Sequence, residues 1–112
     1  MTRLLLCRLD DIPDGDSAGF AVTHPDGRRR GVLAVRRAGT VFAYVNSCPH
    51  SRAPLDLIPG RFLSFDKTFI LCSSHGALFC IEDGYCVEGP CAGKSLAPLK
   101  AVVEDGCVFL AD

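Results

Sequence analysis

The sequence predicts an all-β domain. Apolar runs of four to six residues, rich in β-forming side chains, recur along the 112 residues, and turn-forming residues separate them at short intervals. Helical i, i+3, i+4 periodicity is nowhere sustained for three turns. Roughly nine or ten short strands, packed as an antiparallel β-sandwich, account for this pattern.

Residues 4–9 form the first expected strand, which ends in a turn carrying Asp10, Asp11, Asp14 and Asp16 around Pro13 and Gly15. These carboxylates read as a solvated turn more readily than as an acidic docking patch. Residues 20–24 form a second strand and 31–37 a third, joined through Pro25-Asp26-Gly27, where Asp and Gly accept the positive φ of a tight hairpin. Ala38-Gly39-Thr40 turns the chain into a fourth strand at 41–45. Pro49, Pro54, Pro59 and Gly60 keep residues 46–61 irregular, as expected of a loop built around a bound group. A hairpin of 62–65 and 68–71 turns at Asp66-Lys67. Residues 77–81 and 85–87 are joined by Glu82-Asp83-Gly84, and residues 89–98 form a third loop around Pro90 and Pro98. Residues 99–104 and 107–111 close the chain as a last hairpin. Phe42 and Tyr85 are expected in the core. Without a linker, repeat or low-complexity stretch, the 112 residues are read as one domain.

Twelve basic and thirteen acidic residues leave a net charge of −1, with no basic excess to neutralise phosphates, so nucleic acid is not expected as a partner. Arg28-Arg29-Arg30 is read as a solvated hairpin shoulder. Leu4-Leu5-Leu6 is too short for a secretory apolar segment of about 7–15 residues, and no run approaches the ~18 apolar residues of a membrane helix. A cytoplasmic protein is therefore expected. Seven cysteines are an odd number, which excludes full pairing, and the surplus is better explained as small buried hydrophobes.

Four residues stand apart. Cys48-Pro49-His50 and Cys72-Ser73-Ser74-His75 each offer one thiolate and one imidazole, on arms separated by residues 51–71. The set Cys48, His50, Cys72 and His75 has the composition of a metal site. Zinc patterns commonly pair Cys with Cys and His with His, whereas each arm here carries one of each. Zinc bound by the same four, in a structural interaction module, is the alternative from a different functional class.

The C-x-H and C-x-x-H arms resemble those of the Rieske iron–sulfur family, whose [2Fe–2S] cluster is held by two Cys on one iron and two His on the other. His75-Gly76-Ala77-Leu78-Phe79 is similar to the family's habit of following the second His with Gly and then an aromatic. Residues 89–98 take the place of its third, proline-containing loop, with Pro90 expected nearest the cluster. The resemblance implies a single Rieske domain over 1–112, with a small cluster-binding subdomain of two ligand loops at about 46–92. It implies Cys48 and Cys72 on the inner iron and His50 and His75 on the outer iron, near solvent. Because imidazole titrates, the potential is expected to fall as pH rises.

Departures from the family refine the expectation. Residues 51–71 are a longer gap than usual, and the 62–71 hairpin accounts for the excess. Rieske proteins of cytochrome bc complexes carry an extra Cys in each arm, joined as a disulfide; Ala53 and Ser74 stand there instead. The Ser and Tyr that donate hydrogen bonds to cluster sulfur in those proteins are matched by Ala77 and Phe79, which cannot donate. Fewer donors stabilise the reduced cluster less, so a potential near the low end of the Rieske range, about −150 mV, is expected.

The resemblance thus implies a one-electron carrier, monomeric when isolated and not itself an enzyme. It would pass electrons from a flavin-dependent reductase to a terminal oxygenase. A small subunit of a nitrite-reductase-type complex keeps the cluster and changes the partner. Cys80, Cys86 and Cys91 fit no tight metal spacing and are expected to pack in the core, although Cys86 and Cys91 could pair under oxidising conditions.

Overall fold

The computed structural model describes residues 3–23, 27–49, 52–56, 61–72 and 76–111. Nine strands run through them: β1 (Arg3–Arg8), β2 (Ser17–Thr23), β3 (Arg29–Arg37), β4 (Thr40–Val45), β5 (Phe69–Cys72), β6 (Ala77–Cys80), β7 (Cys86–Glu88), β8 (Pro98–Glu104) and β9 (Cys107–Ala111). They form a six-stranded sheet in the order β1-β9-β8-β4-β3-β2 and a three-stranded sheet in the order β5-β6-β7. Every strand pairing is antiparallel. The larger sheet curls until its edge strands, β1 and β2, come into contact. Helical structure among the described residues is a single 3-10 turn at Leu9–Asp11. No helix among them is long and apolar enough to cross a membrane.

The β3–β4 hairpin is the wall between two cores, and strand periodicity explains how. Successive side chains point to opposite faces, and Val32, Leu33, Ala34 and Val35 are all fully buried. Leu33 and Val35, with Tyr44 of β4, pack against Leu55, Phe62, Ile70 and Phe79 of the smaller unit. Val32 and Ala34 face inward within the curled sheet, towards Val108 and Leu110 of β9. A strand buried on both faces reads as an unbroken apolar run, and this one does.

Tyr44 fastens the two units together. Its hydroxyl donates to the Ile81 carbonyl at 2.6 Å, and its ring closes over Gly84, where a Cβ would lie 2.8 Å from Tyr44 Cε1. Burial, reinforced by Asp83 and Glu82, pushes the Tyr44 hydroxyl up to about 12. A proton held more tightly in the folded state stabilises the fold at neutral pH, and that contribution is lost as pH rises from about 10 through 12. Tyr44→Phe is expected to cost about 1–2 kcal/mol at neutral pH by leaving a buried carbonyl without its donor. It is also expected to flatten the alkaline fall in stability between about pH 10 and 12. Urea unfolding of both proteins across pH 7–11 checks this. The comparison must be differential, because burial also raises Cys7, to about 11, and Cys7 acts in both proteins.

The strand expectations hold in outline, with two differences. Residues 62–65 reach β5 through an isolated bridge, Leu63 to Ile70, and two backbone bonds, Ser64 N to Phe69 O and Leu71 N to Phe62 O, but not a strand ladder, because the Ser64 side chain takes the Phe69 donor. Asp66 Oδ1 accepts from Thr68 N and Ser64 Oγ, Ser64 Oγ accepts from Phe69 N, and Lys67 turns the chain at φ +61. Phe42 packs on the core as expected, but Tyr85 is exposed. In β7 it is Cys86 that points inward, and a register shift in the β6–β7 pairing sets that phase. The acidic turn is held by its own carboxylates: Asp11 accepts from Arg8 N, Asp14 from Ala38 N and Asp16 from Ser17 N. The expected turn at Pro25-Asp26 lies outside the described residues.

Candidate metal centre

The two cysteine donors reach the site from the two sheets. At the end of β4, Val45 N donates to Ala97 O and Asn46 N to Gly31 O, both at 2.9 Å, and the chain then leaves the sheet. Cys48 N donates to Ala53 O at 2.8 Å and Arg52 N to Cys48 O at 2.6 Å, which ties the first arm across its base. On the second arm Cys72 ends β5, and Gly76 N donates back to Cys72 O at 2.8 Å. Gly76 sits at φ +73, a conformation that favours glycine, with no atom within 4 Å of where a Cβ would be.

Cys48 and Cys72 are both fully buried, in one packed cluster with Leu55, Ala77, Phe79, Cys86 and Cys91. His50 and His75 lie outside the described residues, as does Ser74. Among the described residues alone, no three His, Cys, Asp or Glu side chains are grouped to hold a metal ion. What the structure places is thus the thiol half of the expected donor set. That half suits iron: two soft donors on separate arms, brought into one buried, predominantly apolar cluster. The residues present fit an iron–sulfur group bound at this end of the smaller sheet. Ala77 and Phe79 are fully buried in the same cluster as the two cysteines and carry no hydroxyl to donate.

A side-chain brace sets the first arm. Leu55 N donates to Asn46 Oδ1 at 2.8 Å, and Asn46 Nδ2 donates to Asp56 Oδ1 at 3.0 Å. One amide thus joins the strand exit to the far side of the arm, beyond Cys48. The sequence offers only a weak signal for this, an Asn at the last position before an irregular loop. Asn46→Ala removes both bonds and is expected to speed iron loss to a chelator by about ten- to a hundredfold, as for other residues that orient metal ligands. The time course of visible bleaching in excess chelator measures it.

In the third loop the residue that turns inward is a cysteine expected in the core. Pro90 is exposed, whereas Cys91 is fully buried with its sulfur 3.5 Å from Cys48 Sγ. Cys86 Sγ donates instead to Glu88 O at 3.2 Å, and none of the seven cysteines is in a disulfide. Gly89, at φ +101, lets this loop approach β6 so closely that a Cβ would lie 2.7 Å from Ala77 Cα. Sequence reasoning singled out neither Gly89 nor the contact of Cys91 with Cys48.

Comparison with known proteins bears on this site. The family model of the Rieske [2Fe–2S] domain matches residues 2–104. The 3-phenylpropionate/cinnamic acid dioxygenase ferredoxin subunit of Photorhabdus laumondii subsp. laumondii is 28% identical over 110 residues, which are 98% of this chain and 94% of that protein. Among solved structures, the ferredoxin of carbazole 1,9a-dioxygenase from Nocardioides aromaticivorans IC177 superposes with a TM-score of 0.78 at 26% identity, covering 99% of this chain and 98% of that one. The same fold recurs at 23% identity and a TM-score of 0.74, over 97% of this chain and 92% of that one, in the complex of reduced oxygenase and oxidized ferredoxin in carbazole 1,9a-dioxygenase.

Proposed function

The chain belongs to the Rieske [2Fe–2S] domain family, and from that premise we propose that it is the ferredoxin of a ring-hydroxylating oxygenase system. Its cofactor is a [2Fe–2S] cluster, which supplies a centre able to take up and release one electron. Cys48 and Cys72 would hold one iron, and His50 and His75 the other. The observation that carries the thiol half of this assignment is the burial of both sulfurs in one apolar cluster at the ends of two tied arms.

The chain's own residues have three tasks. Cys48 and Cys72 would bind the cluster as thiolates, within the packed surroundings of Leu55 and Phe79 that keep water away. Asn46 and the Cys48–Ala53 backbone bond keep the first arm from opening, so little rearrangement accompanies a change of charge. Ala77 and Phe79 withhold hydroxyl donors from the buried side, which favours a low potential.

The domain spans the whole of 1–112 and acts as a carrier, not as an enzyme on its own. Its electron donor is a flavin-dependent reductase and its acceptor a terminal oxygenase. The similarity to a dioxygenase ferredoxin subunit over nearly the full length of both chains supports this pairing. Seven cysteines without a disulfide fit a reducing cytoplasm. Catalytic amounts of such a reductase with NADH are expected to bleach the protein, and a ring-hydroxylating oxygenase with its aromatic substrate and O2 to restore the colour. A cluster reducible by dithionite but inert to both enzymes contradicts the assignment of partners.

A further inference from the structure

The geometry points to Cys91 as a hydrogen-bond donor to the ligand sulfur of Cys48, an interaction that raises the cluster's reduction potential. The inference rests on the reading of Cys48 as a cluster ligand. The two sulfurs lie 3.5 Å apart, and both side chains are fully buried. In the protein without metal either thiol could donate. Iron ligation takes the proton of Cys48 and leaves its sulfur an acceptor, so the hydrogen between them is then the one on Cys91.

The loop that carries Cys91 is held in place from three sides. Lys94 N donates to Cys91 O at 2.8 Å, Ala92 N donates to Gly89 O at 3.1 Å, and Gly89 sits against the backbone of Ala77. These contacts fix Cys91 inward while Pro90 stays in solvent. A donor aimed at a ligand sulfur draws electron density from the metal and favours the reduced, more negative state. Cys91 thereby supplies, from the third loop, a donor that Ala77 and Phe79 do not, and partly offsets their effect.

The test compares wild type, Cys91→Ala and Cys91→Ser. Wild type is first reduced and shown by electron paramagnetic resonance to hold a mixed-ligand cluster. Without that signal the reading of the site fails, and this inference with it. With the signal present, Cys91→Ala is expected to lower the reduced-to-oxidised ratio at fixed potential by about three- to tenfold. Tenfold corresponds to about 59 mV for a one-electron couple. Exchange into D2O is expected to shift the iron–cysteine stretching bands of wild type in resonance Raman spectra and to leave Cys91→Ala unchanged. Cys91→Ser keeps a donor in nearly the same volume and is expected to recover both the ratio and the isotope shift. If Cys91→Ala keeps the wild-type ratio and isotope shift, the inference is overturned while the ligand assignment stands. Loss of cluster in both variants also overturns it, since Cys91 would then be needed to assemble the site and not to tune it.

Discussion

Cys48→Ser protein is expected to purify colourless, with iron content reduced at least about tenfold, whereas Cys107→Ser is expected to keep the full visible spectrum. The contrast follows from donor chemistry and position. A serine hydroxyl is a hard donor that holds its proton far more tightly than a thiol, so it is a poor ligand for cluster iron. Cys48 is fully buried at the base of an arm whose backbone bonds close on it, so the serine that replaces it is held in the ligand's place. Cys107 lies half-buried on β9, paired with Arg8 and Glu104 in the curled sheet, away from the cluster pocket. Iron analysis and the visible spectrum of the two proteins, purified side by side without oxygen, measure the difference. Loss of colour in Cys107→Ser would show that the ligands are misassigned.

Gly89→Ala is expected to destabilise the smaller unit by about 2–5 kcal/mol, the sum of backbone strain and overpacking. At φ +101 any Cβ is strained, and here it would also meet Ala77 Cα at 2.7 Å. A backbone atom of β6 cannot swing aside as a flexible side chain could. The third loop must lift, which carries Cys91 away from Cys48 and lets water reach the pocket. Gly93→Ala is the control. Its φ is +91, but nothing lies within 4 Å of the added Cβ, so it suffers the strain alone. Thermal bleaching of the two variants should therefore differ, with Gly89→Ala losing its colour at the lower temperature. Equal midpoints would mean that the close approach is unimportant.

What could be read in the sequence was local. Short runs of β-forming residues between turn signals announced the strands, but not that β3 is buried on both faces, which depends on what packs against each side. Cys48 and Cys72 were legible because ligand spacing is a short-range signal, and the structure brings both into one core. The core position of Cys91 was legible but its contact with Cys48 was not, since the two lie 43 residues apart and only the fold brings the sulfurs together. Gly89 looks like any turn glycine until Ala77 is placed beneath it. Tyr85 was misplaced by a single residue of phase. In a strand as short as β7, alternation does not determine which face is inside, and the pairing with β6 decides it.

Electron paramagnetic resonance of the anaerobically purified, dithionite-reduced protein tests the central claim most directly. A cluster held by Cys48, Cys72, His50 and His75 predicts a rhombic signal whose average g lies clearly below that of all-cysteine [2Fe–2S] proteins. A colourless, silent sample holding one zinc per chain would contradict it and leave a structural zinc module in its place.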